Sequence, residues 1–269
     1  MVSFVLPRLV GFAGPARRAV SVAERNVAAL KSAYWIVLIS GFFEPMLYLL
    51  SIGVGVGALV GDLTLPGGTV VSYAAFVAPA MLAASAMSGA LAETTFNFFG
   101  KMKYMKLYDG ILATPVQPFE IALGELGWAM LRGTLYSAVF LAVMVWMDLT
   151  SAVRALVALP AAVLVGFAFG ALGMAISTFM RSWQDFDLLG SAQFTLFLFS
   201  GTFVPAAAYP AVLRWVVEAS PLYRAVDLIR GVTVAGVGWS QLVDLLYLFG
   251  VLVLGLVVAG RRMGRLLTR

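Results

Sequence analysis

Six stretches of this chain are long and apolar enough to cross a lipid bilayer, and that limits the fold more than any motif does. They run Tyr34–Val60, Val71–Phe96, Ile121–Met147, Ala155–Phe179, Leu188–Val204 and Leu242–Gly260. A spanning helix needs about 20 mainly apolar residues. Inside hydrocarbon every backbone N–H and C=O must bond within the protein, which leaves helices as the local solution. The composition agrees: 62% of residues are hydrophobic and 12% charged, with a mean hydropathy of +0.97. A soluble domain sits nearer 45–50% apolar and about 25% charged. The expected fold is an all-α integral membrane protein of six spans. Its parts are a segment 1–33, a membrane domain 34–260 and a basic tail 261–269.

Orientation follows from lysine and arginine near the span ends, which concentrate on the cytoplasmic side. Thirteen basic residues fall on one side: Arg8, Arg17, Arg18, Arg25, Lys31, Lys101, Lys103, Lys106, Arg181, Arg261, Arg262, Arg265 and Arg269. Four fall on the other: Arg154, Arg214, Arg224 and Arg230. Both termini are therefore expected in the cytoplasm. The sequence pI of 9.6 then reflects topology and calls for no nucleic-acid partner. The first 30 residues lack the compact apolar run and cleavage site of a signal peptide.

The chain has no Cys and no His. Thiolate chemistry, the usual general base and most transition-metal sites are thereby excluded. No G-x-x-x-x-G-K-[ST] or H-E-x-x-H motif occurs, so neither a P-loop nor a zinc-hydrolase helix is present. No catalytic residue, metal site or cofactor is expected on this chain.

Three segments are not simple spans. Pro15–Ser32 mixes valines with Arg17, Arg18, Glu24, Arg25 and Lys31; it reads as an interfacial amphipathic helix or as a disordered basic leader. Gly100–Glu120 admits a short helix at Lys101–Tyr108 (Lys101, Met102, Lys103, Tyr104, Met105, Lys106, Leu107, Tyr108) or a solvated loop. Pro205–Trp239 holds two short amphipathic segments, Ala211–Ser220 and Leu222–Thr233, with Ser220 set to cap Pro221 at the first helical position. It reads as a re-entrant hairpin, the alternative being a plain outer loop.

Ionisable groups within spans usually face protein. Glu44 sits mid-span beside Pro45, Glu93 near the cytoplasmic end of the second span, and Asp244 near the outer end of the last. Glu125 and Arg132 are seven residues apart and share a helix face. The expectation is that Arg132 pairs with Glu125 or Glu44, fixing helix packing; the sharper possibility is a substrate path or proton relay. Gly53, Gly57 and Gly61, and Gly166 with Gly170, have the spacing that allows close helix approach. Phe194, Phe197, Phe199 and Phe203 suit lipid or packing surfaces.

The stretch SGTFVPAAAYPAVLRWVVEASPLYRAVDLIRG (Ser200–Gly231) resembles the signature of the type-2 ATP-binding-cassette permeases, in the nodulation-factor and daunorubicin-exporter branch. Supporting stretches are GFFEPMLYLLSIGVGVG (Gly41–Gly57), LATPVQPFEIALGELGWAMLRGTLY (Leu112–Tyr136) and GALGMAISTFMRSWQDFD (Gly170–Asp187). The resemblance implies a dimer of permeases with two separate cytoplasmic ATPase subunits, which bind the ATP and Mg. It implies a connecting helix at Pro15–Ser32 and a coupling helix at Lys101–Tyr108, with a second contact at Arg181–Asp187. Spans 1, 2 and 5 would line a path between protomers. The outer gate would include Pro205, Pro210, Trp215, Pro221, Tyr223 and Arg230. The cargo would be an amphipathic or hydrophobic compound (drug, lipid or glycolipid) exported across the plasma membrane. Two other classes stand against this reading. An ion- or proton-coupled secondary transporter would use Glu44, Glu125 and Arg132. A lipid-modifying enzyme would need converging acids that the sequence scatters.

Overall fold

A computed structural model describes residues 20–26, 43, 46–47, 49–64 and 70–267. Most of the expected first span, with Glu44 and Pro45, lies outside these residues. Residues 20–26 form a helix (α1), inside the expected amphipathic segment. Helix α2 winds in π register over Leu49–Val56 and continues as α-helix over Gly57–Val60. Gly61 ends it at φ +74°, a left-handed conformation that glycine adopts without steric cost. Gly61 is thus a stop signal, not part of a packing stripe.

A two-stranded hairpin follows, unforeseen in the sequence. Strands β1 (Asp62–Thr64) and β2 (Val70–Ser72) pair antiparallel, Leu63 opposite Val71. Pro66-Gly67-Gly68 between short β-branched runs is the signal that could have found it. Ser72 then caps the next helix, its Oγ accepting from Ala75 N at 3.3 Å.

Among the described residues four helices are long and apolar enough to span. The first, α3, starts at Tyr73 and continues through π turns to Tyr104, 32 residues in all. It overruns the expected end at Phe96, so Glu93 lies mid-helix, not near an end. The second, α5 (Pro118–Trp146), opens with a capping box in which Gln117 and Glu120 bond reciprocally. The third is α6 (Ala152–Ser177) and the fourth α10 (Trp239–Leu267). The expected basic tail is largely the last turns of α10.

Helix α6 is the centre, packed on α3, α5 and α10. Its small residues permit this. A Cβ on Gly170 would lie 2.7 Å from Leu126 Cδ1, and one on Gly173 would lie 2.6 Å from Thr94 Oγ1. On the other side, a Cβ on Gly255 of α10 would meet the Ala171 carbonyl carbon at 2.7 Å. The expected contact role of Gly166 and Gly170 is borne out; Gly255 was not foreseen.

Two expectations fail locally. The proposed Lys101–Tyr108 helix is not one element. Lys101–Tyr104 finishes α3, Lys106 turns left-handed (φ 47°), and a separate helix α4 occupies Leu107–Leu112. The fifth expected span is also displaced: helix α7 covers Asp185–Leu198, 14 residues, and the chain leaves helical geometry at Phe199. Fourteen residues reach about 21 Å, short of a bilayer core of about 30 Å.

Beyond α7, α8 (Ala211–Ala219) and α9 (Pro221–Arg230) form the two short helices expected there. Ser220 occupies the cap position of α9, but its side chain makes no capping bond. Its buried Oγ lacks a hydrogen-bond partner among the described residues.

Candidate functional site

Among the described residues, three clusters of charged groups lie within the bundle. The first lies at mid-span. Arg132 is fourteen residues into α5, about 21 Å along it. Its Nη1 pairs with Glu93 Oε1 on α3, not with Glu125. The shared helix face of Glu125 and Arg132 is real, and both look toward α3. Seven residues of rise separate them by about 10 Å, so each meets a different neighbour. Arg132 also lies 5.6 Å from the Tyr136 ring centroid.

Arg132 borders a cleft of about 660 Å³ between α3, α5 and α7. Met81, Met87, Leu91, Leu189 and Phe197 give it apolar walls; Ser85, Gln193, Arg132 and Tyr136 give it polar points. Gln193 Nε2 donates to Ser88 Oγ at 2.7 Å, bridging α7 and α3. Gly89 and Gly190 line opposite walls, and a Cβ on either meets nothing within 4 Å among the described residues. Arg132 keeps 24% of its side chain exposed and Glu93 10%. A charge in hydrocarbon needs protein, water or a polar ligand beside it, so the cleft is chemically a polar pocket with greasy walls.

The second cluster is at the basic end of the bundle. Glu125 is buried and accepts three bonds: from Lys101 Nζ at 2.6 Å, Asn26 Nδ2 at 3.0 Å and Arg25 Nη2 at 3.1 Å. Arg25 Nη2 and Lys101 Nζ also donate to Asn26 Oδ1, at 2.8 and 3.3 Å. Tyr108 of α4 is fully buried alongside, its ring 5.2 Å from Phe98. Burial first, and the Glu125 charge second, push its phenol well above the ordinary value. Lys101, Met102 and Tyr108 are therefore engaged inside, while Lys103, Tyr104, Met105 and Lys106 remain exposed. Tyr104 stacks on Trp183 at 5.2 Å and 14°. Phe99 meets Trp183 and Phe186 edge-on, and Phe186 lies tilted against Trp183, so the loop before α7 is held to the end of α3. Arg262 rests on the Phe179 ring, 3.7 Å from its centroid.

The third cluster is at the opposite end. Arg230 is buried, donating from Nη2 to Gly201 O at 3.0 Å and from Nε to Phe76 O at 3.3 Å. Its guanidinium lies 3.9 Å from the Phe76 ring centroid. Desolvation lowers its pKa to about 10, with Asp227 and Tyr223 opposing; it stays charged at neutral pH. Burial and Asp227 push the Tyr223 phenol up to about 12. Arg224 pairs with fully buried Asp244 at 3.0 Å, and Tyr247 Oη donates to Ala219 O at 2.9 Å. Arg230 is thus a tie between elements. Trp215 and Pro210 are exposed, while Pro205, Pro221 and Tyr223 are half-buried. Sequence reasoning missed Lys101, Arg25 and Asn26 as partners of Glu125, because contacts between distant segments leave no spacing signal.

Long apolar helices, charged inside only where a partner waits, define a multi-pass integral membrane protein. The description ABC-2 type transporter matches residues 20–234. The chain belongs to the ABC-2 type transporter family, whose members are transport subunits of the membrane and imply an ATP-binding-cassette partner. It is similar to nodulation protein J of Rhizobium leguminosarum bv. trifolii, 35% identical over 212 residues, 78% of this chain and 79% of that one. It is also similar to nodulation protein J of Rhizobium meliloti (strain 1021), at 32% over the same shares. The counterpart from R. leguminosarum bv. viciae is 31% identical over 78% and 80%.

Proposed function

We propose that this chain is the membrane permease of an exporter that moves an amphipathic compound outward, driven by ATP hydrolysed on a separate cytoplasmic subunit. The observation that carries this is the mid-span cleft, whose mixed walls suit a molecule with apolar and polar parts. Two permease copies would assemble with two ATPase subunits holding ATP and Mg. The exposed Lys103, Tyr104, Met105 and Lys106 at the turn between α3 and α4 would meet the ATPase. The membrane segments would then be the four long helices, a first span ending in α2, and α7 as a short fifth segment that does not cross the full core by its helix alone. Both termini would lie in the cytoplasm of a plasma-membrane protein.

The α8–α9 pair would be re-entrant, and its contacts support that. Trp239 opens α10 and is largely exposed, as interfacial tryptophans are. Asp244 and Tyr247 lie five and eight residues further on, about 7.5 and 12 Å down the helix. Their partners Arg224 and Ala219 flank the α8–α9 corner, so the corner would sit at that depth. The exposed face of Val212, Trp215 and Val216 would contact lipid.

The test is purification from the native membrane with its partners, then reconstitution into proteoliposomes with a fluorescent acyl glycoside as probe. A two-plus-two complex with ATP-dependent transport is expected. Gly190→Leu, filling the cleft, should stop transport while the complex still assembles. A stable assembly without an ATPase that drives transport by a proton gradient would overturn this reading and favour secondary transport.

A further inference from the structure

The hydrogen bonds of Glu125 join three chain segments, and Tyr108 of a fourth packs beside them. Arg25 and Asn26 come from α1, Lys101 from the last turn of α3, Tyr108 from α4, and Glu125 from the second turn of α5. Both carboxylate oxygens are engaged, one by Arg25 and the other by Lys101 and Asn26. Asn26 cross-braces the two cations through its own oxygen. Opening the arrangement would leave a buried carboxylate without its compensating cations, which is costly. Surface ion pairs yield easily; a triply bonded carboxylate, 6% exposed, does not. Lys101 and the exposed residues after it are only a few positions apart. Any push on that turn therefore reaches Glu125 directly, and through it α5 and the Arg132 level of the cleft.

We infer that Glu125 is a positioning residue: it clamps α1, the end of α3 and the start of α5 into one rigid joint that carries movement from the ATPase-facing turn to the spans. The inference rests on the permease reading. It differs from a proton relay, since its work is geometric: the carboxylate holds two cations and an amide from separate segments in place. It also assigns Lys101 to the joint and not to the partner's surface.

The experiment uses the full complex in proteoliposomes and reads ATP hydrolysed and acyl glycoside transported, as a ratio. Glu125→Gln should assemble and hydrolyse ATP within about twofold of the unaltered complex, while transport per ATP falls about tenfold. Glu125→Asp, which keeps the charge, should recover most of that ratio. The chain has no cysteine, so Asn26→Cys with Lys101→Cys can be joined by a short thiol-reactive spacer. A rigid joint predicts that the linked complex still transports. A Glu125→Gln complex with an unchanged ratio overturns the inference, and so does loss of transport on linking, which would show that the cluster must open. Should Glu125→Gln fail to assemble, the linked pair decides alone. An unaltered complex that neither retains an ATPase nor transports overturns the permease reading and the joint with it; one that transports beside an indifferent Glu125→Gln overturns the joint only.

Discussion

Arg132 and Glu93 show how one charge at mid-span is made tolerable. Each would be costly alone in hydrocarbon, and together they leave only part of the guanidinium open to the cleft. Removing one partner strands the other. Arg132→Met should therefore destabilise the protein by about 3–5 kcal/mol, whereas Arg132→Met combined with Glu93→Gln should recover most of it. Thermal unfolding in detergent across the double-mutant cycle measures this; additive losses would mean that the two groups do not interact. The existence of intramembrane charges was legible in the sequence, because a lone acid in an apolar run stands out. Their pairing was not. Helical periodicity shows which face a residue occupies, but not which residue of a neighbouring helix lies at the same height. Arg132 could thus be assigned to Glu125 by face and still belong to Glu93 by level.

At the scale of elements, the glycines divide into two kinds that sequence spacing does not separate. Gly170 and Gly255 sit where backbones or side chains press close; Gly190 and Gly89 border open space. The same substitution should then act in opposite directions. Gly255→Ala should destabilise by about 1–3 kcal/mol through overpacking against Ala171. Gly190→Ala should be neutral or stabilise by up to about 1 kcal/mol, since alanine is the better helix former. Unfolding midpoints of the two variants in one detergent check this. The long helices were readable from apolar run length, as with Ala155–Phe179 against the observed Ala152–Ser177. Their ends were less so. Helix α3 continues past Phe96 because Phe99 and Met102 still find buried neighbours beyond the apolar run. Helix α7 ends at Leu198, and just beyond it Gly201 takes a left-handed φ of +70° beside Tyr223 and accepts from Arg230.

For the whole molecule, the two ends of the bundle are distinct. Lys101, Lys103, Lys106, Arg181, Arg261 and Arg262 gather at one end, and the α8–α9 hairpin occupies the other. Single cysteines at Lys103 and Trp215, in a chain free of native thiols, should react with an impermeant maleimide from opposite sides of sealed vesicles; labelling from one side would refute the sidedness. The packing is also uneven. Helix α6 packs tightly on α3 at Gly173 and on α10 at Gly255, where a Cβ would clash, and Arg230 ties α9 to α3. Against that block α7 has none of its side chains buried among the described residues. It is held along its length by Gln193 on Ser88 and at its start by the Trp183 aromatic group. In engineering terms the block is a stator and α7 a compliant leaf hung on two pins. Load applied near Tyr104 and Trp183 would be delivered at one of those pins, so deformation would concentrate along the seam that borders the cleft, and the cleft's width would be the quantity that load adjusts.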